Sequence, residues 1–319
     1  MKNMLLLAIL SNVFATPAFA QTWDELLNDG RNTENVTTES MGYDRKSYSP
    51  LAQINTSNIK RLVPIWSTSL MNDMGELAAP TIYDGVMYVI NGRWTFAIDV
   101  ETGRQIWRTP VEIQPGTQQR AAITRGAATI YDGRLFRVTN DNHVLALDMR
   151  DGKEIWKQRF ADPKEGYYAT GAPIVANGVL ISGMAGGEST TRGFLDGWDP
   201  DTGKKLWRRY TIPAPGEPGS ETWPEHSDAW MHGGGPTWRS GSYDPQLDLV
   251  YWAPATRSLT IPRLARVWTV CSRPACSRSG RRRVKSRVTS STRRTTCTTS
   301  MAPTRTCSPT SRSRGGSAR

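Results

Sequence analysis

The sequence predicts an all-β fold, a partial β-propeller followed by a disordered C-terminal tail. Three observations carry this. A unit of about 50 residues recurs. Each unit ends in an Asp-x-x-[Thr/Asp]-Gly turn and a tryptophan. The pattern stops at Trp252, beyond which Arg, Ser and Thr dominate and neither Asp nor Glu occurs.

The repeats are FAIDVETGRQIW ending at Trp107, LALDMRDGKEIW ending at Trp156 and LDGWDPDTGKKLW ending at Trp207, spaced 49 and 51 residues apart. An apolar, alternating run interrupted by a turn precedes each: TIYDGVMYVI, TIYDGRLFRV and PIVANGVLISG. Val, Ile, Tyr and Trp suit a pleated surface, while Asp and Gly satisfy the turns between strands. One antiparallel sheet of about four strands per repeat is the unit of a propeller. Trp107, Trp156 and Trp207 are expected to pack between blades, because aromatic side chains bury large areas.

Residues 1–20 combine a lysine near the start, the apolar stretch MLLLAIL and an Ala18-Phe19-Ala20 cleavage pattern, which predicts a removable secretory signal and a periplasmic location. No other run approaches the about 20 apolar residues of a membrane span, so no membrane insertion is expected. The formal net charge of +11 divides unevenly: residues 253–319 hold 16 basic and no acidic side chains, which leaves 24 Lys+Arg against 29 Asp+Glu in residues 1–252. The repeat region, 21–252, is therefore mildly acidic, and nucleic acid is not an expected partner. All four cysteines (Cys271, Cys276, Cys297 and Cys307) lie in the tail, where their spacing suits zinc poorly and two disulfides remain open.

The tail, 253–319, lacks hydrophobic periodicity and does not bury enough apolar surface to offset the entropy of ordering. Three readings are open: plain disorder, an Arg-rich nucleic-acid arm, and translation in the wrong frame. The third explains most. If one base is missing after codon 252, permitted codon choices let Trp252 to Thr256 encode W-G-T-G-N. Codons 278–286 can likewise encode A-I-R-P-K-T-G-E-I, the repeat motif again. Codons 291–308 accommodate Y-T-P-N-D-V-Y-D-V-D-G-T-D-E-N-V-L-A.

Two segments are candidates for chemistry. ISGMAGGESTTRGFLDGW carries Glu188 behind Gly186 and Gly187; glycine admits a flat ligand close to the backbone, and a carboxylate there suits a hard cation. HGGGPTW, from His232 to Trp238, sets three glycines before an aromatic ring able to face a planar cofactor. His143, His226 and His232 are isolated and receive no role.

These segments, with SYSPLAQINTSNIKRLVPIW, the three AxDxxTGxxxW repeats, GAPIVANGVLISGMAGGESTTRGFLDGWDPDTGKKLW and HGGGPTWRSGSYDPQLDLVYW, resemble the N-terminal half of a pyrroloquinoline quinone (PQQ)-dependent alcohol dehydrogenase of the methanol/ethanol type. The resemblance covers residues 1–252 and implies about four of the family's eight blades. It implies PQQ and a Ca2+ or lanthanide ion as cofactors, a small primary alcohol as substrate and cytochrome c as electron acceptor. By the same resemblance Glu188 is a metal ligand. Ala185, Gly186 and Gly187 line the quinone, and Trp238 stacks on it, with Thr237 beside it. Arg125 and Thr139 hydrogen-bond its oxygens, and Glu76 stands one residue from an expected glutamate contact. The sequence departs from the family pattern at Gln119-Arg120, where a vicinal cysteine pair is expected, and at Pro236, where many members have threonine. The metal-binding Asn of G-T-G-N and the catalytic Asp of Y-D-V-D-G occur only in the shifted frame, where the D-x-D spacing resembles lanthanide-type members. The chain as translated is expected to be truncated, poorly stable and inactive. A non-catalytic propeller scaffold that binds other envelope proteins is the alternative reading.

Overall fold

The structure, a computed structural model, describes residues 21–71, 77–112, 124–223, 226–232, 234–254 and 268–271. These belong to the first of two units into which the chain divides, Met1–Ser279. The expected signal segment, Glu76, Gln119-Arg120, Cys276, Cys297 and Cys307 lie outside the described residues.

The predicted repeats fold as antiparallel sheets. The first comprises β1 (Thr81–Tyr83), β2 (Val86–Ile90), β3 (Trp94–Asp99) and β4 (Gln105–Pro110), hydrogen bonded in chain order. The second repeats this with β5 (Thr129–Tyr131), β6 (Arg134–Val138), β7 (His143–Asp148) and β8 (Glu154–Arg159). The third has β9 (Ile174–Ala176), β10 (Val179–Gly183), β11 (Phe194–Trp198) and β12 (Lys205–Tyr210). The opening hairpin of each closes on Asp84-Gly85, Asp132-Gly133 or Asn177-Gly178, with both residues at positive φ, the geometry that matches the twist of paired strands. A register shift recurs at one place in the repeat, at Ala97/Ile98, Ala146/Leu147 and Gly197/Trp198.

A fourth sheet has three described strands, β13 (Ser242–Asp244), β14 (Leu249–Trp252) and β15 (Trp268–Cys271). The last falls within the tail, 253–319. Four residues of the tail pair with β14, from Leu249 opposite Cys271 to Trp252 opposite Trp268. The run Trp-Thr-Val is aromatic and β-branched, so it pairs with an available edge although its surroundings carry no repeat pattern.

Apolar faces of successive sheets pack on each other. Tyr88, Ile90 and Ala97 of the first meet Ile130, Leu135 and Leu145 of the second. Phe136, Val144 and Ala146 of the second meet Val175, Leu180 and Phe194 of the third. Ile181 and Leu195 then meet Tyr243, Val250 and Trp252 of the fourth. A segment at the N-terminus straps these sheets together. It begins with a short helix, α1 (Trp23–Leu27), whose Thr22 and Glu25 form a reciprocal capping box. Val36 pairs with Ile82 of the first sheet, Gln21 accepts from Asp132 N of the second, and Tyr43 donates to Val175 O of the third. Trp23 and Tyr43 both contact the Tyr243 ring of the fourth.

Between sheets, one contact recurs. Trp107 Nε1 donates to Met149 O at 3.0 Å, and its indole covers Gly152, where a Cβ would lie 2.5 Å from the ring. Trp156 repeats this on Pro200 O at 3.0 Å and Gly203. Trp66, ahead of the first repeat, does so on Val100 O at 2.8 Å and Gly103. The glycines have φ near 70° (72° at Gly103 and Gly152, 69° at Gly203), so the turn's carbonyl and its bare Cα face the indole together. Trp207 packs between sheets as expected, its ring against the core between the third and fourth, but it departs from the other three indoles in that Nε1 is buried with no hydrogen-bond partner among the described residues.

A buried carboxylate, Asp196, is paired with a partly exposed arginine. Arg208 Nε and Nη2 reach the two Asp196 carboxylate oxygens at 2.7 and 2.6 Å, Nη2 also donates to Phe160 O, and the guanidinium lies over the Phe194 ring. Burial pushes the Asp196 carboxyl above its ordinary range, and Arg208 opposes that shift.

Two predictions follow from these contacts, both read by urea denaturation. Trp156→Phe strands the Pro200 carbonyl and lowers stability by about 1–3 kcal/mol, whereas Trp107→Phe, which leaves Met149 O to the Tyr88 hydroxyl, and Trp207→Phe, which loses no hydrogen bond, each cost less than half as much. Arg208→Met leaves a buried carboxylate alone and costs about 3–5 kcal/mol at neutral pH. Without Arg208 the folded-state pKa of Asp196 stays above its unfolded value, so the folded state takes up the proton more readily. The cost of the substitution therefore shrinks as pH falls toward the ordinary carboxylate range and grows as pH rises.

Candidate functional site

The chain entering each sheet's first strand forms a loop, and the four entry loops lie side by side. Leu77 N donates to Thr124 O at 3.2 Å, and Arg125 N and Gly126 N both donate to Thr170 O, at 2.9 and 2.8 Å. Gly171 then abuts the next loop so closely that a Cβ there would sit 2.2 Å from Trp238 O. The loops border one cavity of about 330 Å³, lined by Leu77, Arg125, Gly126, Gly171, Trp238, Arg239 and Ser240, with Glu39 and Arg45 from the N-terminal strap.

Three guanidinium groups face this space against one carboxylate. Arg125 and Arg239 lie 5.4 and 4.8 Å from the Trp238 ring centroid, so the ring is already flanked by cations. Arg45 pairs with Glu39 at 3.5 Å, and the Ser240 hydroxyl bonds both Glu39 and Ala172 O. The cavity thus presents an aromatic wall with two arginines beside it and a third arginine held in an ion pair, a combination chemically suited to a flat anion.

A second cluster adjoins it through the chain from Gly234 to Trp238. Ala185 N donates to Tyr168 O at 2.7 Å, which sets the loop carrying Gly186, Gly187 and Glu188 beside the entry to the third sheet. Gly186 has φ 108°, and a Cβ on Gly187 would meet Pro236 Cδ at 2.5 Å. Glu188 is exposed, and its carboxylate accepts from the Tyr168 hydroxyl. Thr237 is buried; its hydroxyl donates to Phe194 O at 2.6 Å and accepts from Met184 N at 3.0 Å, so it clamps the strand leading to Trp238. Among the described residues no group of three His, Cys, Asp or Glu side chains could hold a metal ion.

The structure therefore brings Arg125 and Trp238 to one cavity and ties Ala185, Gly186, Gly187 and Thr237 to the segment that carries Trp238. Thr139 sits apart, in the β6–β7 connection, where its hydroxyl bonds Asp141 and accepts from His143 N. The glycines of HGGGPTW have a structural use that sequence reasoning overlooked. Gly234 (φ 75°) and Gly235 (φ 68°) let this segment bond Thr191 O and Gly193 N. Arg239, Arg45 and Tyr168 were also missed. Arg239 had a usable signal, since it directly follows Trp238. Tyr168 and Arg45 belong to no motif and meet the site only through the fold.

The family model described as PQQ: Glucose/ethanol/alcohol dehydrogenase, beta-propeller domain, matches residues 40–262. Quinoprotein alcohol dehydrogenase PedH of Pseudomonas putida is 36% identical over 252 residues, which cover 71% of this chain and 41% of that protein. The 1-butanol dehydrogenase (quinone) of Thauera butanivorans is 34% identical, with 72% and 41% covered. Among solved structures, a europium-containing methanol dehydrogenase superposes with a TM-score of 0.67 at 30% identity, covering 72% of this chain and 44% of that one. The chain spans about two fifths of the length of the curated relatives it matches. It belongs to the PQQ-dependent glucose/ethanol/alcohol dehydrogenase β-propeller family.

Proposed function

We propose that this chain carries the quinone-binding part of a periplasmic dehydrogenase that oxidises a primary alcohol to an aldehyde and passes the electrons to cytochrome c. The observation that carries this reading is the convergence of four entry loops on one cavity, where Arg125 and Arg239 flank the Trp238 ring. PQQ is planar and bears several carboxylates, which fits an aromatic wall and a cationic rim. When bound, it supplies the two-electron redox capacity that no side chain has. Arg125 and Arg239 would hold its carboxylates, and Trp238 would offer its face once a guanidinium gives way.

Gly186 and Gly187 keep side chains off the adjoining loop, and Tyr168 holds the Glu188 carboxylate in place for a Ca2+ or lanthanide ion. The described residues do not complete a metal site. The further donor is the asparagine encoded only in the shifted frame. The same frame holds the aspartate that would accept the alcohol's proton. The 319-residue chain therefore binds the quinone without turning over alcohol. The alternative, a scaffold that holds other envelope proteins, needs the sheets but none of these cavity side chains.

Titration calorimetry with PQQ, with and without Ca2+, tests this. The purified chain binds PQQ, Trp238→Ala weakens binding about 10-fold, and Arg125→Ala weakens it by about 10- to 100-fold. Absence of binding favours the scaffold, and ethanol oxidation by the unaltered chain contradicts the assignment of the missing proton acceptor.

A further inference from the structure

Residues 62–71 carry the spacing of an outer strand without a sheet. Their sequence, LVPIWSTSLM, places Trp66 as Trp107, Trp156 and Trp207 are placed in β4, β8 and β12. Trp66 docks on the first sheet as Trp107 docks on the second. Gln105 Nε2 fixes the segment further by donating to Ser69 O at 2.7 Å. The segment thus occupies the outer-strand position of a sheet that would precede the first. Among the described residues it pairs with no strand, and Val63 and Ile65 are 75% and 81% exposed. An unpaired extended segment with exposed β-branched side chains is a template for strand addition.

The sheet β13–β15 lies last in chain order among the described residues. It has three described strands where the other three sheets have four. Pairing within one chain would close a ring of four sheets. The superposition argues against that: the described sheets match 44% of a methanol dehydrogenase chain, an arc a little under half of that fold. Two such arcs supply eight sheets.

We propose that a second copy of this chain lends its residues 62–71 as the fourth strand of the sheet β13–β15, and receives the same strand in return. Each junction continues the interface already built inside the chain, since Trp66 stays docked on its own first sheet. Two identical junctions close under a two-fold axis, which leaves no free strand edge at either end.

The test is the mass of the purified chain by light scattering at micromolar concentration, alone and as Val63→Lys/Ile65→Lys. These side chains are exposed, so the variant should keep its far-UV circular dichroism while placing charge on the pairing edge. The expected result is a two-chain particle whose dissociation constant rises about tenfold or more in the variant. A single-chain mass overturns the proposal. So does a two-chain particle indifferent to the lysines, and larger open assemblies overturn the closed pairing. None of these readings involves PQQ.

Discussion

The indole of one sheet seated on the glycine turn of the next is the contact on which the rest of this structure depends. It couples two sequence features that lie 34 to 44 residues apart, 34 from Trp66 to Val100, 42 from Trp107 to Met149 and 44 from Trp156 to Pro200, and it does so each time through the indole Nε1 and a turn carbonyl. The hydrogen bond fixes the height of each sheet against its neighbour, and the missing Cβ of the glycine sets how closely they approach. A side chain at Gly152 would penetrate the Trp107 ring, so turn and tryptophan specify each other. Once successive sheets are held at one height, their entry loops fall side by side. The cavity is therefore a consequence of the repeat rather than of any single loop.

That dependence explains why site residues scattered over the chain act together. Arg125 precedes the second sheet and Trp238 the fourth, with Gly171 between them ahead of the third. Backbone bonds from Arg125 and Gly126 to Thr170 carry one loop to the next without relying on side chains. Loops positioned by a rigid scaffold are where binding residues collect. The Glu188 loop joins the same arrangement through Pro236 on Gly187, two residues before Trp238.

Much of the fold was legible because period-2 alternation and Asp-Gly or Asn-Gly turns are local signals. The tryptophans' packing role could be inferred from their spacing, but not the orphaned Nε1 of Trp207, which depends on what stands opposite. The strap of residues 21–45 left little trace in the sequence, since Tyr43 and Trp23 are anchors only in relation to Tyr243. Strand β15 was missed because four residues within an Arg-rich stretch give no periodicity to read. Within the site, the glycine clusters were visible, whereas Arg45 and Tyr168 reach it from segments without a motif. The turn in which the Thr139 hydroxyl bonds Asp141 and His143 N is visible only in the folded chain.

Among the described residues no carbonyl fills Nε1 of Trp207, and a repeat motif read after a frame change beyond codon 252 would supply the turn that fills it. What docks on such a tryptophan elsewhere in the chain is a Thr-Gly or Asp-Gly turn, and the shifted frame can encode Lys-Thr-Gly over codons 282–284. The direct measurement is the DNA sequence of the source strain from codon 250 to the end of the tail. The account predicts that the shifted frame is open throughout and encodes a Thr-Gly turn followed by an Asp-x-Asp motif, after one base restored beyond codon 252. Stop codons in that frame, or third bases that spell neither motif, would contradict it.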